Sequence, residues 1–490
     1  MRDKTAIFWH RRDLRISDNL GLSKGISTTN LLIGIYVIDT IFYKKNLAPY
    51  PLSKYRLWFL KESLIELERC WRNAGSRLLI LKGEPTKIIP QIADLLKTDL
   101  VIWNQNIEPY ELKRDQQIKD NLLKLNIKPN EYLDHLLINP NLVETINGNP
   151  YTRFTPFYQN IINKIDNIES KIPIVNSSKF KAINFIKEEV KNKYKELFSE
   201  IKSQENLANL IDNNEFNKYN LCPCKPGEEN AKLQLNEFCN SGKIYHYNNN
   251  RNIPSIEGTS FLSAALRFGT ISIREVWNKS NELKLNKNNS KSNESIKIWQ
   301  KELIWREFYQ HAIINFPELI NGAYREKWKN FPWLNNSNFL DAWKKGLTGI
   351  PIIDASMRQL NQTGWMHNRC RMIVASFLVK DLICDWRLGE NYFMKYLVDG
   401  DQASNNGGWQ WSTSSGMDSK PLRIFNPHTQ SLKFDKYAKY IKYWVPELEN
   451  INPNDILSGE ISNIERRAYP KAIINHKSQQ KLFKSIYATL

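Results

Sequence analysis

The sequence of 490 residues predicts an α/β N-terminal domain built on a parallel sheet, followed by an all-α C-terminal domain. In residues 1–130, short apolar runs alternate with longer helical patterns, as is typical of a parallel sheet with crossover helices. From residue 216 to residue 490 the apolar periodicity is helical, interrupted by short turns. Residues 131–215 carry few strong signals, and we interpret them as a connector between the two domains.

Four runs rich in Ile, Leu and Val predict the strands of the sheet, at residues 5–9, 31–38, 78–81 and 100–103. A helical pattern over residues 57–71 provides one of the crossovers that parallel strands require. No GxGxxG motif follows a strand, so this domain shows no dinucleotide-binding signature.

A cluster of polar residues follows the first predicted strand, where a parallel sheet places its ligand-facing loops. The cluster consists of His10, Arg11, Arg12, Asp13 and Arg15. A ligand-binding loop and a solvated basic turn explain it equally well.

Outside the sheet, four segments have readable patterns. Residues 147–150 predict a turn, and residues 187–197 a charged surface helix. Residues 278–295 are rich in Asn, Ser and Lys, which predicts a solvated polar loop. Residues 372–379 are apolar at nearly every position, which predicts a buried helix.

The composition favours a polyanionic partner. Lys and Arg number 69 against 51 Asp and Glu, so the formal net charge is +18. Part of this excess reflects a general richness in Lys, Asn and Ile. The six cysteines match neither a zinc site nor a disulfide framework, and the longest apolar run near the N-terminus is too short for a membrane span. We therefore expect a reduced, soluble, cytoplasmic protein without a metal.

Two windows carry candidate site residues. The window 364–411 mixes charged and amide side chains with many aromatic ones, and such polar groups need partners if they are buried. A bound polar cofactor would supply those partners, whereas core packing and structural ion pairs are the ordinary alternatives.

The second window is a predicted helix over residues 302–309. Its residues Glu302, Trp305, Arg306 and Tyr309 fall on one face, because they are spaced i, i+3, i+4 and i+7. This face suits a nucleic-acid site in which an aromatic ring stacks on a base, although a structural network also explains it.

Six blocks resemble the photolyase/cryptochrome flavoprotein family, in the family's order and nearly from end to end. They are FWHRRDLRISDN (8–19), WNQNIEPY (103–110), EGTSFLS (257–263), ELIWREFYQH (302–311), GWMHNRCRM (364–372) and DWRLGENYFMKYLVDGDQASNNGGWQW (385–411). The resemblance is strongest to microbial class I enzymes that repair cyclobutane pyrimidine dimers and carry a deazaflavin antenna. It implies a Rossmann-like antenna domain and a helical FAD-binding domain.

The resemblance implies FAD, active in its reduced form. The residues that it assigns to FAD are Tyr247, Thr259, Ser260, Phe261, Leu262, Ser263, Arg371, Asp399, Gly400, Asp401 and Asn405. In the family, Arg371 pairs with Asp399 beside the isoalloxazine. Asn405 corresponds to the position near flavin N5, where photolyases typically carry Asn and plant cryptochromes Asp.

An antenna chromophore is implied in the N-terminal domain. Its pocket would draw on Tyr36, Val37, Ile38, Arg56, Asn106, Glu108, Tyr110 and Arg267. WNQNIEPY resembles relatives that use 8-hydroxy-5-deazaflavin rather than methenyltetrahydrofolate. Asn106 and Arg267 depart from the Asp and Lys of the family pattern.

The implied partner is DNA containing pyrimidine dimers, bound by a monomer. The resemblance places at the DNA Arg251, Glu302, Trp305, Arg306, Tyr309, Asn368, Arg369, Trp411, Arg423 and Gln430. Trp305 would stack on a flipped-out dimer and Glu302 would hydrogen-bond its bases. Asn368 and Met372 border the lesion pocket, and relatives that repair 6-4 photoproducts carry His at these positions, so cyclobutane dimers are expected.

Trp386, Trp409 and Trp333 match the tryptophans that carry electrons to the flavin in this family. The implied activity is that of a light-driven carbon–carbon lyase that splits the dimer by electron transfer. The alternatives are a cryptochrome-like blue-light photoreceptor without repair activity, against which Asn405 and the Glu302/Trp305 face argue, and a flavin-free nucleic-acid-binding module.

Overall fold

The computed structural model describes residues 4–43, 53–167, 205, 219, 221–285, 290–418 and 422–489. Five strands form one parallel sheet: β1 (Thr5–His10), β2 (Leu31–Asp39), β3 (Leu78–Gly83), β4 (Leu100–Asn104) and β5 (Lys128–Tyr132). Their order in the sheet is β3-β2-β1-β4-β5, so the chain reverses its direction of winding beside β1. The predicted α/β class is confirmed, and ligand sites in such sheets lie at the carboxyl ends of the strands.

The four predicted strands are confirmed, each within two residues at its ends. β5 was not predicted, because its sequence KPNEY contains no apolar run. It lies at the edge of the sheet and pairs only with β4 among the described strands, and it is half-exposed along most of its length. An edge position also tolerates Pro129, whose nitrogen cannot donate to a neighbouring strand.

Four helices surround the sheet: α1 (Leu20–Thr28), α2 (Lys54–Asn73), α3 (Pro85–Leu95) and α4 (Pro109–Lys124). On one face, Ile89 and Ile118 from α3 and α4 pack with Val101. On the other face, α2 contributes Phe59 and Leu64 to a second core. The predicted helix 57–71 is thus confirmed as α2, which extends further at both ends.

The described remainder of the chain is helical apart from turns, 3₁₀ segments and one isolated bridge, which confirms the all-α class of the C-terminal domain. Its helices are α5 (Phe154–Asn167), α6 (Glu228–Asn240), α7 (Tyr247–Asn250), α8 (Ser263–Phe268), α9 (Ile273–Leu285), α10 (Ser290–Asn315), α11 (Ser337–Lys345), α12 (Pro351–Thr363), α13 (Asn368–Lys380), α14 (Trp386–Tyr396), α15 (Gln402–Thr413), α16 (Pro427–Phe434), α17 (Lys439–Trp444), α18 (Pro453–Ser458), α19 (Asn463–Arg466) and α20 (His476–Ala488).

α2 joins the α/β domain to the helical domain. The Tyr55 hydroxyl donates to the carbonyl of Asn361 over 3.0 Å, and the Ser53 hydroxyl donates to that of Leu397 over 3.3 Å. Gly364 is required here, because its φ is +67° and a Cβ would lie 2.2 Å from the Tyr55 ring. The second core therefore continues from the sheet into the helical domain, where it includes Val398.

One sequence prediction is wrong. Residues 278–295 were expected to form a solvated loop, but α9 runs to Leu285 and α10 begins at Ser290. Residues 278–285 and 290–295 belong to these two helices, and residues 286–289 lie outside the described residues. The Gln300 side chain in α10 donates to Ser280 over 2.6 Å and to Asn281 over 2.8 Å, which docks the helices together. Composition alone did not reveal these contacts.

Three other expectations have different outcomes. The turn at 147–150 is present, with Gly148 in the left-handed region beside a Glu144–Pro150 bridge. The buried helix over 372–379 is confirmed within α13. The charged helix over 187–197 lies outside the described residues. Among the described helices, none is both long and apolar enough to span a membrane.

Candidate functional site

A cavity of about 520 Å³ opens among α8, α10, α13 and α15, and we call it the large cavity. Its size falls in the range of cofactor pockets, about 300–1,000 Å³. It gathers most of the residues assigned to FAD and DNA: Tyr247, Arg251, Thr259, Ser260, Phe261, Leu262, Ser263, Glu302, Trp305, Arg306, Tyr309, Asn368, Arg369, Arg371, Met372, Asp399, Asp401, Asn405, Trp409 and Trp411.

The segment 259–263 enters the large cavity just before α8. Phe261 holds a left-handed φ of +53°, which is costly for a residue with a Cβ and is typical of functional sites. Leu262, the residue before α8, has an apolar side chain and so makes no side-chain cap at the start of the helix. This arrangement suits an anion.

The predicted stripe on α10 is confirmed, since Glu302, Trp305, Arg306 and Tyr309 all line the large cavity. Arg251 donates to the Glu302 carboxylate over 2.7 Å. Burial raises the pKa of Glu302, and Arg251 opposes that shift. Arg306 is tied to the backbone, because its guanidinium donates to the carbonyl of His135 over 3.0 Å.

Arg371 of α13 also lines the large cavity, and it donates to Asp399 over 2.8 Å. A second nitrogen of Arg371 donates to the carbonyl of Met366, which fixes the guanidinium in place. The other oxygen of Asp399, Oδ1, is buried and has no hydrogen-bond partner in the described part of the chain. A buried carboxylate oxygen without a partner is costly unless a ligand donates to it.

α13 is started by His367, whose Nδ1 accepts from the backbone N–H of Arg369 over 3.1 Å. Burial lowers the pKa of His367 to about 3, with help from neighbouring arginines. The ring is therefore neutral and can accept at neutral pH. This cap positions Asn368 and Met372 at the cavity wall.

α15 begins with Asp401, whose carboxylate accepts from the backbone of Ser404 and from the side chain of Gln310. Burial alone would raise the pKa of Asp401, but the positive charges of Arg267 and Arg306 lower it to about 2. The ionised cap fixes the helix that carries Asn405 to the large cavity.

Behind Asn405 lies a buried carboxylic acid. The side chain of Asn405 donates to the backbone carbonyl of Glu390 over 3.1 Å, and that of Asn406 donates to the Glu390 carboxyl over 3.0 Å. Burial raises the pKa of Glu390 to about 8, so this group is largely protonated at neutral pH.

Trp409 and Trp386 belong to the core of the helical domain, and the partly buried Trp333 packs against that core. Trp409 lines the cavity and packs so tightly on Gly389 of α14 that a Cβ there would lie 2.1 Å from its ring. Trp386 begins the same helix, and both indoles are 2% exposed. The backbone N–H of Leu334 donates to the carbonyl of Ile383 over 2.9 Å, which holds the segment after half-buried Trp333 against the start of α14.

A second cavity, of about 110 Å³, lies at the carboxyl end of β2, and we call it the N-terminal cavity. Of the eight predicted antenna residues, six line it: Tyr36, Val37, Ile38, Arg56, Glu108 and Arg267. Asn106 and Tyr110 lie outside its lining, although the Tyr110 hydroxyl donates to Asp39 on the cavity wall over 3.4 Å.

The loop after β1 is buried, so the solvated-turn interpretation of this cluster is wrong. His10 accepts from the Trp71 indole over 2.9 Å, and Arg11 pairs with Asp115. Arg15 donates to the carbonyl of Gly269, which links the loop to α8. Arg12 pairs with Glu108 within the α/β domain, so among these contacts the bond from Arg15 to Gly269 is the one that joins the two domains.

Some assigned residues do not line either cavity within the described structure: Asn106, Tyr110, Trp333, Trp386, Gly400, Arg423 and Gln430. Gly400 lies between the cavities, because its carbonyl accepts from Arg267 over 2.9 Å. Arg423 lies near the rim, with its guanidinium 5.8 Å from the Trp411 ring. Sequence reasoning missed the apolar wall formed by Trp365, Ala375, Phe393 and Leu397, whose composition resembles ordinary core.

A parallel α/β domain joined to a helical domain with one large, partly charged cavity is the architecture of photolyases and cryptochromes. A family described as "DNA photolyase" matches residues 6–173, and one described as "FAD binding domain of DNA photolyase" matches residues 299–489. The deoxyribodipyrimidine photo-lyase of Synechococcus sp. is 45% identical, over 99% of this chain and 96% of that protein.

Two solved structures are also similar. The archaeal photolyase from Sulfolobus tokodaii, solved with two FAD molecules, has 31% identity and a TM-score of 0.79 over 99% of this chain and all of that one. The Synechocystis sp. PCC6803 cryptochrome has 25% identity and a TM-score of 0.84 over the same shares. The chain belongs to the DNA photolyase family.

Proposed function

We propose that this protein is a deoxyribodipyrimidine photo-lyase that repairs cyclobutane pyrimidine dimers in DNA with light. The observation that carries the proposal is that one cavity is lined both by the Arg371–Asp399 ion pair and by the aromatic and acidic face of α10. The first suits a flavin and the second a nucleobase, so one cavity brings an electron donor and a lesion together. The full-length similarity to an enzyme of that name supports it.

The residues of the large cavity fit FAD. The buried Asp399 Oδ1 lacks a donor among the described residues, and a bound flavin edge would supply one. Arg371 and Asn405 would orient the isoalloxazine, and segment 259–263 would hold the diphosphate with its backbone amides. When bound, reduced and photoexcited, FAD supplies the electron that splits the cyclobutane ring.

The α10 face would receive the lesion. Trp305 stacks on the flipped-out dimer, Glu302 accepts from its bases and Arg306 contacts phosphate. Arg251 holds the Glu302 carboxylate in place over 2.7 Å. Flipping costs the least where a lesion has already weakened stacking and pairing, which selects dimers without reading sequence. Arg369 and Arg423 near the rim would contact the DNA backbone.

The tryptophans would reactivate the cofactor. Trp409 lines the large cavity, Trp386 lies in the same core and Trp333 is partly exposed, and together they would carry an electron inward to oxidised flavin. Their burial in the helical core is compatible with this role, since the same packing fixes their separations.

The N-terminal cavity would hold the antenna, for which we propose 8-hydroxy-5-deazaflavin rather than methenyltetrahydrofolate. Its support is the resemblance of WNQNIEPY and the six predicted residues that line the cavity. When bound, an antenna supplies excitation energy to the flavin. Arg56 and Arg267 would favour an ionised ring hydroxyl by charge.

A photoreceptor without repair activity is the second candidate, because the structure is also similar to a cryptochrome. Asn405 in the large cavity and the intact Glu302/Trp305 face favour repair.

Binding of a duplex with one thymine dimer, compared with the undamaged duplex, tests the lesion site. Trp305→Ala removes the stacking face, and we expect affinity for the dimer to fall about 5- to 150-fold while FAD stays bound. Trp305→Phe keeps a smaller ring and should give an intermediate loss. Unchanged affinity of the Ala variant would refute the stacking role.

A further inference from the structure

Trp305 packs against another aromatic ring at the wall of the large cavity. The ring of Phe154, the first residue of α5, lies parallel to it, with the ring centroids 3.5 Å apart and an interplanar angle of 3°. Such close parallel contact occupies one whole face of the indole. α5 belongs to the segment interpreted from sequence as a connector, so this segment reaches the candidate lesion site.

Phe154 is itself held firmly. It is 2% exposed, and the ring of Phe308 meets it edge-on at 5.8 Å. Phe308 also meets Trp305 edge-on, at 5.7 Å. The Lys301 ammonium lies 5.6 Å from the centroid of the Phe154 ring. The buried Phe154 ring is therefore held by contacts with Phe308 and Lys301 as well as with Trp305.

Trp305 is partly exposed and lines the large cavity, and the ring of Tyr309 lies beside it at 5.6 Å with a tilt of 33°. Without the Phe154 ring, the indole would lose its parallel contact and gain freedom to change its orientation. A ring that is already ordered loses less entropy when a base stacks on it. We propose that Phe154 is a positioning residue, which covers one face of Trp305 and so presents the opposite face, in one orientation, to a pyrimidine of the lesion. This inference rests on the proposed stacking role of Trp305.

The test compares variants within α5. Phe154→Leu and Phe154→Met keep the apolar volume but remove the flat ring, and Phe154→Tyr keeps the ring. Phe157→Leu is the matched control, because Phe157 is 1% exposed on the same helix but contacts Phe308 and His311. For each purified, FAD-loaded variant, the dissociation constants for dimer-containing and undamaged duplexes, the FAD content and the melting temperature are measured.

We expect Phe154→Leu and Phe154→Met to weaken dimer binding about 2- to 12-fold, the cost of ordering one freed side chain. Binding to undamaged DNA and FAD content should stay unchanged, and Phe154→Tyr should behave like the wild type. Phe157→Leu should lower the melting temperature about as much as Phe154→Leu does, but without the selective loss of affinity for the dimer. In a Trp305→Ala background, Phe154→Leu should have no further effect on dimer affinity.

Three outcomes would overturn the inference. They are unchanged dimer affinity in both non-aromatic variants, an equal loss in Phe157→Leu, and a full additional loss in the Trp305→Ala background. If the wild type itself binds dimer-containing and undamaged DNA equally, the proposed function fails instead, and the inference fails with it.

Discussion

The two cavities of this protein differ in how their charges are arranged. In the N-terminal cavity, arginines and carboxylates already face one another, as in the contacts of Arg12 with Glu108 and, over 3.2 Å, with Glu111. The large cavity is nearly five times as large, and Asp399 keeps one buried oxygen without a partner among the described residues. Both cavities hold buried carboxylate oxygens without a hydrogen-bond partner among the described residues, since Glu108 Oε1 and Glu111 Oε2 lack one in the N-terminal cavity. The cavities differ in volume and in where their ion pairs lie: Arg267 and Glu108, 3.8 Å apart, link the two domains at the N-terminal cavity, whereas Arg371 and Asp399 both belong to the helical domain.

The largest effect should come from breaking the ion pair of the large cavity. Arg371→Leu leaves Asp399 buried without its cation, and we expect FAD occupancy to fall at least about tenfold, since an unpaired buried charge costs several kcal/mol. Flavin absorbance per protein after purification measures the effect. Arg358→Leu is the matched control, because Arg358 pairs with Glu447 at the same distance of 2.8 Å but lies outside both cavities. If both variants lose FAD equally, the ion pair has no specific role.

The second effect concerns electron supply to the large cavity. Trp409→Phe keeps an aromatic ring against Gly389 but is harder to oxidise, so photoreduction of oxidised FAD should slow at least about tenfold. Repair by chemically pre-reduced protein should be retained. Flavin absorbance under blue light with an external reductant follows the rate, and a normal rate would remove Trp409 from the pathway.

A substitution in the N-terminal cavity should lower the stability of the protein and leave its FAD content unchanged, unlike the substitution in the large cavity. Glu108→Gln removes the ion pair of Arg12 with Glu108 and the carboxylate 3.8 Å from Arg267, and we expect about 1–3 kcal/mol of lost stability with FAD occupancy unchanged. Denaturant unfolding and flavin absorbance measure the two quantities. Loss of FAD without loss of stability would contradict the division of roles between the cavities.

The remaining effect is a pH dependence. The pKa of Glu390 is raised from 4.5 to about 8, so the folded state holds a proton that the unfolded state releases. The stability that this proton contributes is complete below the ordinary pKa and is lost as pH rises through about 8. Glu390→Gln should therefore match the wild type near pH 5 and become relatively more stable towards about pH 9. Parallel stability curves for the two proteins would show that Glu390 ionises normally.

The sequence predicted those elements whose own pattern is sufficient. Strands β1 to β4 are apolar runs and α13 is uniformly apolar, so burial was readable. β5 was not predicted, because an edge strand needs no apolar run. Residues 278–295 were wrongly predicted as a loop, because their structure depends on contacts between two helices. The local sequence pattern predicts which residues are buried, but it does not predict which distant segments they contact.

The site shows the same limit. The stripe on α10 followed from helical spacing, and the resemblance identified most of the residues that line the large cavity. The loop after β1 remained ambiguous, because its partner Asp115 lies about 100 residues away in the sequence. The contact of Phe154 with Trp305 had no sequence signal, since a phenylalanine at the start of a helix is ordinary core composition.

Light-driven repair by the chemically reduced protein tests the central proposal most directly. A thymine-dimer oligonucleotide is illuminated with blue light, with a dark control and a 6-4 photoproduct control. We predict light-dependent loss of the cyclobutane dimer alone. Absence of repair with FAD bound and reduced would contradict the proposal and favour a photoreceptor.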